Sequence, residues 1–221
     1  MKYKIFLFIL FVALHFVATA QIKYNYNHFG SKQKGILKKK EVGDGSSFRL
    51  NVLAEVWQTT QFQAQSFGLE LEVYANENIS IAWQCDIGSL GRGKGRYGHI
   101  PLGLWLAGYP LGWANNGVAA NNNQGYLYLA ILLAVIPETI NFHIPLASNK
   151  IAISPYITPI GMHYLATTDS YTLGFTGGVK ANIFIGKELE WAITPHIGWR
   201  ALYKQDTPKG FLGGIKIGRF F

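Results

Sequence analysis

The sequence predicts an all-β fold: a closed antiparallel up-and-down transmembrane β-barrel of eight strands, with ten as the alternative count and a partly helical apolar insertion. Three observations predict it. Apolar and polar side chains alternate through six segments; those segments exceed the ordinary strand length of about five or six residues; and charge is scarce. Of 221 residues, 49% are hydrophobic and 14% charged, where a soluble domain carries about 25% charged. The apolar content excludes a disordered chain. A single cysteine excludes an intramolecular disulfide framework and a four-cysteine zinc site. No His, Cys or carboxylate spacing points to a metal, and nothing calls for a cofactor.

Residues 1–20 read as a secretory signal peptide. Lys2 and Lys4 supply the charged start, Ile5 to Val17 an apolar run interrupted by His15, and Ala18-Thr19-Ala20 the small residues of a cleavage site. The run is shorter than the roughly 20 residues a membrane-spanning helix needs. Export also accounts for the near absence of cysteine. Residues 21–47 form a basic flexible segment with Lys23, Lys32, Lys34 and the run Lys38-Lys39-Lys40, closing on Gly43, Gly45, Ser46 and Ser47. It reads as a solvated tail rather than a lipid contact, and nucleic acid is no partner for an exported chain.

The barrel is expected over 48–221. In 48–59, Phe48, Leu50, Val52, Ala54 and Val56 share one face, and Arg49, Asn51, Leu53, Glu55 and Trp57 the other. In 66–76, Phe67, Leu69, Leu71 and Val73 alternate with Gly68, Glu70, Glu72 and Tyr74. In 78–88, Ile79, Ile81, Trp83, Cys85 and Ile87 alternate with Ser80, Ala82, Gln84 and Asp86. The same period runs through 171–186, 188–204 and 210–221. Successive strand side chains point to opposite faces, so each segment carries one apolar face and one polar, glycine-rich face. A sheet in lipid must close on itself, with its apolar face outward. Thr139 to Leu146 and Lys150 to Leu165 supply two further strands, the second bent by Pro155 and Pro159.

Residues 88–138 break the pattern. Gly88 to Gly98 reads as a loop rich in glycine and bases, while Ile100 to Trp113 and Tyr126 to Ile136 are apolar on both faces. Both runs are too short to cross a bilayer as helices. They read as short helices or a buried insertion between the third and fourth strands; as strands they would make the barrel ten-stranded.

The signal peptide, the alternating segments and the end of the chain together resemble the small outer-membrane β-barrels of Gram-negative bacteria. The last strand ends Ile215-Lys216-Ile217-Gly218-Arg219-Phe220-Phe221. Ile215, Ile217 and Phe221 fit that family's terminal pattern, and Arg219 departs from it. The resemblance implies that a barrel-assembly machinery reads this strand, and that outer-membrane lipid, lipopolysaccharide included, surrounds the protein. With an even strand count both chain ends lie in the periplasm, as do the turns at Asn76-Glu77-Asn78 and Gly186-Lys187.

An eight-stranded barrel has an interior that side chains can fill. The inward charges expected are Glu55, Glu70, Glu72, Asp86 and Glu190 against Arg49, Lys180, Arg200 and Lys216. Such a set pairs inside the barrel, because an unpaired buried charge is costly; the alternatives are a selective pore or a proton-handling site. His143 and His196 face inward beside these carboxylates. The function expected is structural or surface-interactive, with Arg92, Lys94 and Arg96 contacting anionic lipid. Two other classes stand beside it. One is an enzyme modifying lipid A at the rim, for which His163, Asp169 and Ser170, with Thr167 and Thr168, supply the side-chain chemistry in an external loop. The other is a soluble secreted barrel whose apolar face lines a ligand cavity.

Overall fold

The computed structural model describes residues 48–76, 78–91, 95–115, 123–146, 150–166, 169–186, 189–203 and 208–221. The expected signal peptide 1–20 and basic segment 21–47, with Glu77, Arg92, Lys94, Thr167, Thr168 and Lys187, lie outside the described residues. The strands are β1 (Phe48–Thr59), β2 (Gln63–Tyr74), β3 (Ile79–Leu90), β4 (Gly95–Ile100), β5 (Thr139–Phe142), β6 (Ile144–Pro145), β7 (Ile151–Leu165), β8 (Ser170–Ile185), β9 (Trp191–Leu202) and β10 (Lys209–Phe220). Two helices, α1 (Leu102–Asn115) and α2 (Asn123–Ala134), lie between β4 and β5.

All pairings are antiparallel, and they close a ring. β1 pairs β2 and β10, and the sheet continues through β9 and β8 to β7. β3 pairs β2 on one side. Between β3 and β7 stand three short strands that share one position. β4 pairs Asp86–Leu90 and Met162–Leu165; β5 pairs Ile79–Ala82 and Tyr156–Ile157; β6 pairs Ala152 and Ile153. The ten strands are therefore eight staves, the fourth of them broken, and the ten-stranded alternative falls away.

The break corrects the sequence reading of 88–138. β3 runs on to Leu90, and Gly95–Ile100 is barrel wall rather than loop. The helices interrupt the fourth stave instead of separating the third from the fourth. Alternation was hidden here because only Tyr97 and His99 point inward before the chain turns out of the wall.

Polarity runs outward-apolar on every stave. Phe67, Ile87, Ile197 and Phe211 are 68–73% exposed, whereas Arg49, Glu70, Glu72, Lys180, Arg200 and Lys216 are at most 2% exposed. That is the reverse of a soluble barrel with an apolar cavity, so the ligand-carrier alternative has no lining here. Aromatic side chains mark two levels of the outside. Phe48 stacks on Phe221 at 5.3 Å where β1 begins and β10 finishes, beside Trp191 under the Arg219 guanidinium. Toward the far end Trp199 meets Phe211 edge-on at 4.9 Å, and Tyr164 and Tyr171 meet across β7 and β8 at 5.2 Å. Eight steps along β9 separate Trp191 from Trp199, roughly 20 Å along the barrel axis at the usual rise and tilt. Arg219 thus rests against interfacial aromatics on the outside, which reconciles it with the apolar face it interrupts.

Inside, apolar layers close both ends. Trp57, Ala64, Leu90, Tyr97, Leu165, Leu202 and Leu212 cluster at the far end, and Tyr74, Ala152, Phe184, Ala192 and Phe220 at the terminal end. Trp57, although an aromatic near a strand end, is part of the inner seal and not of the outer belt.

Candidate functional site: the sealed lumen and the broken stave

Between the two seals lies a continuous polar network built from cross-strand pairs. Arg49 and Glu72 stand opposite each other on β1 and β2, as do Asn51 and Glu70 one pair along. Near the terminal end the Arg49 guanidinium donates to Glu72 and, at 3.0 Å, to Asn182. Ser80 and Asn141 donate to the other Glu72 oxygen. Ser80 Oγ has thus spent its proton, so it accepts from His143 Nε2 at 2.8 Å. His143 Nδ1 then accepts from Ser154 at 2.7 Å, and Asn182 donates to that Ser154 oxygen. The chain of bonds fixes one neutral tautomer of His143.

At mid-lumen Glu70 Oε2 accepts from Lys216 at 2.6 Å and Lys180 at 3.4 Å, and Oε1 accepts from Asn51 at 3.0 Å. Lys216 also donates to Gln84, whose amide nitrogen donates to Asp86. Lys180 lies 4.9 Å from the centre of the Tyr156 ring. Above this, Arg200 donates to Glu55 at 3.2 Å, to Thr176 and to the Tyr97 hydroxyl. Tyr97 in turn donates to His163 Nδ1 at 3.1 Å, and His196 donates to Glu55 at 3.0 Å. Gly214 makes room on β10: a Cβ there would lie 2.7 Å from the His196 ring. The cavity left among these groups offers about 10 Å³ to the centre of a water-sized sphere, roughly the room of one water molecule.

The broken stave adds a group that the sequence reading lacked. Trp83, Gln84 and Cys85 of β3 have no paired residue on the fourth stave, since the register stops at Ala82 and resumes at Asp86. The Glu138 carboxylate fills the gap: its Oε1 accepts the Gln84 backbone N–H at 2.9 Å, and its own N–H donates to the Ala82 carbonyl. Trp83 Nε1 donates to the Ile136 carbonyl at 2.8 Å. On the lumen side, His99 stands between two carboxylates, with Nδ1 3.3 Å from Asp86 and Nε2 3.2 Å from Glu138. The His163 ring stacks on it at 4.6 Å. Gly161 leaves the space for this stack, because a Cβ there would lie 2.9 Å from His99 Nε2.

Of the nine charges expected in the lumen, eight are in it: Arg49, Glu55, Glu70, Glu72, Asp86, Lys180, Arg200 and Lys216. Glu190 is not. It lies half-buried in the connection before β9, where its carboxylate packs over Gly186. Glu138 and His99 are the residues missed. Both fell in the stretch assigned to the insertion, and a strand reading of Gly95–Ile100 would have placed His99 inward beside Tyr97.

The rim residues do not assemble. His163 lies within β7, fully buried and pointing inward, and not in an external loop. Asp169 accepts from the hydroxyl of outward-facing Tyr164 at 2.9 Å. Neighbours along a strand point to opposite sides of the wall, so Asp169 and His163 serve different faces. Ser170 begins β8. Arg96 is exposed at the far rim. Ile215 and Ile217 face outward on β10, and Phe221 follows it.

An apolar outside, a polar paired inside and a closed ring of eight antiparallel staves are what a bilayer demands of a sheet. The fold is that of a small outer-membrane β-barrel. No known family pattern and no curated protein sequence matches the chain. Solved structures of similar shape include the N-terminal β-barrel domain of Pseudomonas aeruginosa OprF, at 7% identity and a TM-score of 0.46, spanning 80% of this chain and all of that one. Neisserial surface protein A is similar at 7% identity and a TM-score of 0.45, over 79% of this chain and 95% of that one. The Yersinia pestis outer-membrane protein Ail is similar at 7% identity and a TM-score of 0.41, over 80% of this chain and all of that one. The stave count stands on the strand pairings, independently of these likenesses.

Proposed function

We propose that this protein is an exported, non-conducting barrel of the bacterial outer membrane with a structural or surface-contact role. One observation carries the reading: charges that would line a pore are bonded to one another and closed in by apolar layers at both ends. A conducting lumen needs a continuous wet path, whereas the cavity among the mid-lumen charges has room for about one water. Fractionation of cell envelopes, followed by heat-modifiable gel mobility, tests the membrane barrel. Conductance in planar bilayers tests the seal. Large steady openings would overturn the reading.

The contact surface is the end of the barrel opposite the chain termini. In this reading the termini and the connections at 75–78 and 186–190 face the periplasm, and the far rim faces outward. Arg96 at that rim, with Arg92 and Lys94, would meet the phosphates of lipopolysaccharide. The outward row Ile215, Ile217 and Phe221 would be read by the assembly machinery. Replacing Arg92, Lys94 and Arg96 by Ser should weaken association with anionic lipid; unchanged association would count against the contact.

A further inference from the structure

We infer that the α1–α2 hairpin is a monotopic lipid anchor: its apolar surface is occupied by acyl chains of the leaflet at the end of the barrel opposite the chain termini. The inference rests on the membrane reading above and adds a second membrane-embedded body outside the barrel.

Four observations carry it. The hairpin leaves and rejoins the wall at the middle of the apolar belt, since the unpaired residues Trp83–Cys85 are the centre of the 12-residue β3. The stretch 101–136 contains no Asp, Glu, Lys, Arg or His. The helices pack on each other through Ala107, Ala130 and Leu133 and still leave Leu104, Tyr109, Leu111, Leu127, Tyr128 and Ile131 43–65% exposed. Neither helix has a charged turn, so no polar side faces water.

Length decides between lipid and other occupants. α1 has 14 residues and α2 has 12, so they run about 21 and 18 Å. From the midplane to the edge of the hydrocarbon is about 15 Å. A hairpin rooted at mid-wall therefore reaches one headgroup region, where α1 ends and α2 begins. Direction comes from Trp105, whose ring lies 6.3 Å from that of Tyr171, just beyond the β7–β8 turn at the far end. Gly103 permits the narrow root, because a Cβ there would collide with the Leu133 carbonyl.

The test is nitroxide accessibility in the full-length protein refolded into phosphatidylcholine–phosphatidylglycerol vesicles. Tyr128→Cys and Ile131→Cys are labelled separately in a Cys85→Ser background, with Leu69→Cys on the barrel belt as reference. Both helix labels should broaden with oxygen as much as Leu69 does and lose broadening by a water-soluble nickel chelate. Chelate broadening at the helix sites with Leu69 protected would place the hairpin in water and overturn the inference while leaving the barrel reading intact. Immobilised labels shielded from both reagents would assign the surface to protein, a second copy included, and equally overturn it. Chelate reaching Leu69 as well would overturn the membrane reading itself.

Discussion

Replacing Glu70 by Gln should destabilise the barrel by about 3 kcal/mol, the lower end of the range for removing one partner of a buried ion pair. Glu70 is 1% exposed and holds Lys216 at 2.6 Å and Lys180 at 3.4 Å. Glutamine keeps the shape and one acceptor, which is why the lower end applies, but it leaves two buried ammonium groups without a counter-charge. The rest of the lumen cannot supply one. Glu72 is engaged by Arg49 and Glu55 by Arg200, while Asp86 and Glu138 flank His99. Among the described residues the lumen thus holds five buried acids and four buried Lys and Arg side chains, with His99 standing between two of those acids. The expected loss is on the order of a 100-fold fall in the folding equilibrium, read from reversible urea unfolding in lipid vesicles by tryptophan fluorescence and gel mobility. The double variant Glu70→Gln with Lys216→Met removes one of the two orphaned ammonium groups and should recover part of the loss, while Lys180 still lacks the carboxylate it pairs with. If Glu70→Gln alone unfolds within about 0.5 kcal/mol of the original, a change typical of surface sites, the lumen is wet enough to screen its charges and the sealed-lumen reasoning fails.

Three further outcomes follow from the same geometry. Glu138→Ala should cost more stability than Glu138→Gln, because the amide oxygen can still accept the Gln84 N–H; equal losses, or unchanged hydrogen exchange at Gln84 in the Ala variant, would contradict the sealing role. Gly218→Val should lower the urea midpoint, since a Cβ there collides with the Asn51 side-chain oxygen and disturbs the Asn51–Glu70 bond, an overpacking cost of about 1–3 kcal/mol; an unchanged midpoint would refute the tight register. Cys85 faces outward at the middle of the belt, so a charged maleimide should label it only after unfolding; equal rates in folded and unfolded protein would remove it from lipid.

Alternation made six of the seven unbroken staves legible, because period-two patterning over ten or more residues marks the strand and separates its two faces; scarce charge and strand length, not the period, favoured the apolar face as the outer one. The same pattern placed eight lumen charges on the correct side. Glu190 went astray for a local reason: β9 begins at Trp191, so the inward parity of Ala192 and Thr194 was carried one pair back past the end of the strand, into the connection that follows Leu189 at positive φ. Of the fourth stave only the later part was legible, as the strand expected over Thr139 to Leu146. Gly95–Ile100 is six residues long and separated from Thr139 by 38 residues, too short a window for periodicity by itself. His163 was counted with the loop residues that follow it, although it lies inside the strand expected over Lys150 to Leu165; the register shift between Thr158 and Gly161 absorbs the bend and carries β7 through to Leu165.

That shift explains how the wall survives its own interruption. A missing stretch of strand in lipid strands backbone donors and acceptors on both neighbours. On the β7 side Pro159 lies within the irregular stretch; it has no N–H to satisfy, and its carbonyl accepts from the Tyr203 hydroxyl. On the β3 side the Gln84 N–H and the Trp83 indole are taken by Glu138 and by the Ile136 carbonyl, both just after α2. The residues that end the hairpin are thus the ones that mend the gap the hairpin opens. Glu138 does so with a charge that His99 then shares with Asp86, which ties the break in the wall to the charge balance of the lumen. Deleting the hairpin while retaining Glu138 would leave that carboxylate without the backbone that aims it, so the insertion, the carboxylate and the histidine act as one structural unit rather than three independent features.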